Sequence, residues 1–182
     1  MLPVVCGAMP RFDASNADCS VYTYKEGLLS AVAHDLKLRV TRFTIDIEGD
    51  SVRAEFAADS LRVLHAMRDG RDDAAALSLA DRQKIESNIV EEVLSARRFP
   101  QIRFVGRSVK PATSGMRVEG ELSLNGRSRA LTLRVDTSGE RWATEVVLSQ
   151  PDFGIKPYSA MLGTLRIRPD VRVVISLPAL PA

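Results

Sequence analysis

No run of about 18 consecutive apolar residues occurs in this chain, so no segment is built to cross a bilayer as a helix. Cysteine is scarce, with only Cys6 and Cys19, which excludes a disulfide scaffold and leaves two thiols expected to be free. Histidine is scarcer in useful arrangement: Cys6, Cys19, His34 and His65 match no compact ligand spacing, and no metal site is expected from them. The surplus of positive charge is small, a formal +2, and the arginines lie singly, as at Arg53, Arg103, Arg117, Arg134 and Arg172. Nucleic acid is therefore not an expected partner, because neutralising phosphates takes a one-sided basic stripe. Also missing are the Gly-x-Ser-x-Gly elbow of many hydrolases and both common glycine-rich nucleotide loops. Nothing in the chain demands a cofactor.

The opening residues Met1 to Pro10 lack a basic region followed by a 7–15-residue apolar run. The expectation is a cytoplasmic protein, or a periplasmic one if a leader has been removed. Residues 1–18 read as an N-terminal arm and 19–178 as one domain, a size that can bury a core without staples.

What the chain does have is alternation. Leu36, Leu38 and Val40 alternate with Lys37 and Arg39, and Phe43, Ile45 and Ile47 alternate with Thr44, Asp46 and Glu48. Val52, Ala54, Phe56 and Ala58 repeat the pattern after Gly49-Asp50. A strand with one buried face requires this period of two. Further along, Met116, Val118, Leu122 and Leu124 share one face, Asn125-Gly126 supplies a tight turn, and Leu131, Leu133 and Val135 return. Trp142 to Leu148 and Val171 to Leu177 continue the alternation. One segment breaks the period: Ile85, Ile89 and Val93 recur at helical spacing between Ser78 with Asp81, a capping-box start, and Phe99-Pro100, predicting a helix over 78–97. Its apolar residues are expected to pack into the core.

Three short motifs follow in a familiar order: Ala96-Arg97-Arg98-Phe99-Pro100-Gln101-Ile102-Arg103-Phe104, then Gly120-Glu121-Leu122-Ser123-Leu124-Asn125-Gly126, then Asp152-Phe153-Gly154. Together they resemble the YceI-like family. The fold this implies is mainly β: a single antiparallel, lipocalin-like β-barrel of about eight strands with one long helix inserted. The implied function is non-enzymatic binding, sequestration or transport of an isoprenoid or fatty-acyl amphiphile in the barrel lumen, with no cofactor. Side chains expected to meet such a ligand are Phe104, Leu122, Leu124, Trp142, Phe153, Tyr158, Met161 and Leu162. The last three lie in an apolar run bounded by Pro157 and Gly163, which suits either a lid over the lumen or a plug at one barrel end. The expected partners are an apolar lipid or isoprenoid and, as an option, a second copy in a homodimer.

Two alternatives stand beside this one. A barrel whose core is filled by side chains would show the same alternation and serve as a structural or interaction module. His34-Asp35 pairs a base with a carboxylate, the minimum for a hydrolase, but lacks further partner residues and is weighted toward a structural role.

Overall fold

The computed structural model describes residues 10–26, 34–163 and 165–180, the side chain of Met161 excepted. Alternating sequence becomes antiparallel strand throughout. In chain order the strands are β1 (Arg11–Asp13), β2 (Asp18–Thr23), β3 (Asp35–Val40), β4 (Phe43–Glu48), β5 (Ser51–Ala57), β6 (Leu61–Arg68) and β7 (Arg71–Asp73). After helix α1 (Leu79–Asn88) come β8 (Gln101–Ala112), β9 (Gly115–Leu124), β10 (Arg127–Asp136), β11 (Arg141–Ser149), β12 (Ser159–Ala160), β13 (Leu165–Arg166) and β14 (Asp170–Pro178).

Twelve of these form one sheet in the order β1-β4-β5-β8-β9-β10-β11-β14-β2-β3-β6-β7, while β12 and β13 pair only with each other. The sheet curls until residues of β3 and β4, far apart in that order, look onto one interior. The corner where it turns back is fastened by Thr41 N–H on Ser60 O at 3.0 Å and Ala57 N–H on Arg42 O at 3.0 Å. Its terminal strands β1 and β7 do not pair with one another, so the architecture is a curled half-barrel of twelve strands and not the closed barrel of about eight that the family resemblance implies. Two of the uncounted strands have a physical reason: β1 and β7 have three residues each, too few to display a period of two. Residues 11–13, within the stretch expected as an arm, are β1; Phe12 and Ala17 are buried.

The helix begins as its sequence dictates. The Ser78 hydroxyl accepts the Asp81 N–H, and the Asp81 carboxylate accepts the Ser78 N–H, closing the capping box. It is shorter than expected: after Asn88 the backbone widens into one π turn (Ile89–Val93), and Ser95 at φ 47° ends it. Ile85, Ile89 and Val93 pack against the core. The helix also covers the part of β6 that β7 leaves unpaired, since β7 reaches only Ala66, Met67 and Arg68. There the Glu86 carboxylate accepts the Val63 N–H at 2.8 Å. Glu86→Ala strands that buried donor and is expected to cost about 1–3 kcal/mol in urea unfolding, whereas Glu86→Gln keeps an acceptor and most of the stability.

Candidate functional site

The period of two sends every second residue of the curled sheet inward, and the inward side chains do not fill the space. A cavity of about 340 Å³ remains, walled by β2–β6, β8–β11 and β14, with Leu94 from the turn after the helix. Among the described residues its wall carries no charged side chain, and Thr144 offers the one hydroxyl, its Oγ1 buried without a hydrogen-bond partner there. Such a wall favours an apolar guest, because a charge entering it would lose its hydration without compensation.

Of the residues singled out by sequence, Phe104, Leu122, Leu124 and Trp142 stand together in this wall. Phe153 is buried in the core beside the lumen but does not line it. It belongs to a short 3-10 turn, residues 150–153, closed by Gly154 at φ 69°; Asn125 Nδ2 donates to its carbonyl at 3.2 Å. Tyr158 is tied to the helix, its hydroxyl accepting from Asn88 Nδ2 at 2.9 Å. Leu162 sits in a left-handed conformation (φ 56°) with its side chain wholly exposed, covering nothing. The side chain of Met161 lies outside the described set.

Alternation puts Leu131, Leu133, Val146, Leu148, Val173 and Ile175 on the apolar faces of their strands without marking them as ligand contacts, and all six line the wall. A signal was present, because facing residues of antiparallel strands share a face, and Leu133 faces Val118 while Val173 faces Val21. Knowing which strands pair turns each alternating run into a list of wall residues.

Asp35 Oδ1 accepts the Lys25 N–H at 2.8 Å, holding the chain just past β2 to the start of β3. Among the described residues no cluster of three His, Cys, Asp or Glu side chains is spaced for a metal ion.

Cys19 lines the cavity at 2% exposure, and burial pushes its thiol from 9.0 up to about 12. Cys6 lies outside the described residues. Because the folded state holds the thiol proton more tightly, the Cys19 contribution to stability is whole below about pH 9 and is lost as pH rises from there toward 12. Alkylation at neutral pH is expected to be far slower in the folded protein than in urea, because the thiol is both buried and held protonated, as judged by mass-resolved iodoacetamide labelling at Cys19. Equal rates would mean that the wall opens to solvent there.

Comparison with known proteins agrees with this architecture. Burkholderia cenocepacia BcnA superposes with a TM-score of 0.65 at 15% identity, covering 92% of this chain and 99% of its own. A polyisoprenoid binding domain from Saccharophagus degradans, implicated in plant cell wall breakdown, gives 0.61 at 11% identity, covering 95% of this chain and 100% of its own. The Campylobacter jejuni YceI protein gives 0.52 at 9% identity, covering 100% and 90%. At these identities the likeness shows the fold. No curated protein matches the sequence. The sequence model of the YceI-like domain, however, matches residues 12–179, nearly the whole chain, and the protein belongs to the YceI-like family.

Proposed function

We propose that the protein binds a long apolar amphiphile, an isoprenoid or a fatty-acyl chain, inside the curled sheet and performs no chemistry on it. One observation carries this: an interior of about 340 Å³ left open by side chains and walled almost wholly by aliphatic and aromatic groups. Small-molecule sites span roughly 300–1,000 Å³, so the space is of ligand size. Each buried methylene contributes about 0.8 kcal/mol, so ten would supply ~8 kcal/mol before ordering costs. The fold relative described as a polyisoprenoid binding domain supports the ligand class. A barrel with a filled core, which the alternation alone allows, leaves the open interior without a role.

The test is native mass spectrometry of freshly purified protein, with organic extraction of the same sample. A stoichiometric co-purified lipid is expected. A clean unliganded mass, together with no uptake of added polyprenol or fatty alcohol, would falsify the carrier reading.

A further inference from the structure

Strands β10 and β11 are joined by a short connection and should pair along their length, yet their ladder has only two rungs, Val135 with Thr144 and Asp136 with Ala143. Neighbouring ladders run far longer: β9 pairs with β10 from Leu124–Arg127 to Met116–Val135, and β11 with β14 over nine rungs. Continuing the β10–β11 register would set Leu133 opposite Val146 and Leu131 opposite Leu148, but these do not pair. All four line the cavity. The wall is therefore parted along a seam with apolar lips, shut at one end by the two rungs and crossed at the other by residues 150–154, where Arg127 lies against Gly154.

At that second end the cavity-side face of β10 changes character. Arg127 stands opposite Leu124 and Arg129 opposite Leu122, so both arginines share the face of two wall residues. Both are exposed, and among the described residues neither forms an ion pair, Asp152 in the neighbouring turn included. Arg129 donates only to the carbonyl of adjacent Ser128, at 3.2 Å. Two cations without counter-charges, two residues apart on the inner face and continuous with an apolar trough, are placed to hold an anion whose tail lies in the trough. From Arg129 to the closing rung at Val135 the strand rises roughly 20 Å, the reach of a long acyl chain or several isoprene units.

We propose that the seam between β10 and β11 is the mouth of the cavity, and that Arg127 and Arg129 bind the anionic head, carboxylate or phosphate, of the amphiphile whose tail enters there. This rests on the carrier reading and adds the chemistry of the head to it. Guanidinium forks match both oxyanions by paired charge-assisted hydrogen bonds.

The experiment compares binding of palmitate with hexadecanol, and of farnesyl phosphate with farnesol, to the delipidated full chain at low and high salt. Loss of a charge-assisted head contact corresponds to roughly a tenfold to hundredfold change in affinity, so at least one anionic probe should bind that much more tightly than its alcohol. The preference should weaken with salt, vanish in Arg127→Gln/Arg129→Gln and survive in part in Arg129→Lys. The pair showing the preference identifies the head as carboxylate or phosphate. Arg129→Gln alone disturbs no packed contact and guards against misfolding of the double variant. Equal affinity for acid and alcohol in the unaltered chain, or a preference that persists in the double variant, overturns the head-group site while leaving the carrier reading intact. Failure of all four probes to bind overturns both.

Discussion

Gly120→Val is expected to leave no stably folded protein, and Gly120→Ala to cost about 3 kcal/mol or more in urea unfolding. A β-carbon at Gly120 would lie 2.3 Å from the carbonyl oxygen of Val105, 2.8 Å from the Gly106 Cα and 2.8 Å from Phe104 Cζ. Two of those three atoms are backbone, which no rotamer change can move. Gly106, its partner across β8 and β9, is itself hemmed in: a β-carbon there would meet Val118 Cγ1 at 2.8 Å. The paired glycines let the Phe104 ring lie close against both strands, at the point where the register shifts between Gly106 and Ser108. With ~5–15 kcal/mol of total stability typical of a domain, such a collision consumes a large share. An alanine variant that unfolds within about 1 kcal/mol of the parent would show that β8 and β9 stand further apart than described.

The second large effect concerns ligand and not fold. Val173→Trp puts an indole into the lumen from β14, where open space receives it, so the fold is expected to survive with a loss of about 1–3 kcal/mol or less. A guest in this lumen is then expected to be displaced. Excluding four methylenes would cost about 3 kcal/mol of affinity, roughly a hundredfold. Titration with a fluorescent fatty-acyl probe, alongside a thermal melt of the same sample, checks it. Undiminished affinity in a well-folded variant would place the guest elsewhere than this lumen.

How much of this was legible in the sequence depends on whether the deciding force is local. The Asn125-Gly126 turn was, because both residues must take positive φ and do, at 50° and 73°. So were the Ser78–Asp81 cap and the inward faces of β9, β11 and β14. The parting of β10 from β11 was not, since Leu131, Leu133, Val146 and Leu148 alternate as they would in a continuous ladder. The run from Pro157 to Gly163 shows the converse. Its composition announces an apolar partner, but composition carries no direction, and the backbone turns the Leu162 side chain outward. The unpaired arginines were hidden among scattered basic residues until the register set Arg127 and Arg129 opposite Leu124 and Leu122.

A sheet that curls without closing has two ends, and an unpaired strand end is a template on which other chains can polymerise. Here each end is a stub of three residues. At one, Asp72 and Asp73 reach Lys37 at 3.3 Å and Arg68 at 3.4 Å; at the other, Arg11 reaches Asp46 at 3.8 Å. A strand arriving from another molecule would find three residues to dock on and would have to strip water from charges on either side. At these two ends the described edge is short and charged, and it offers little for a foreign strand to extend.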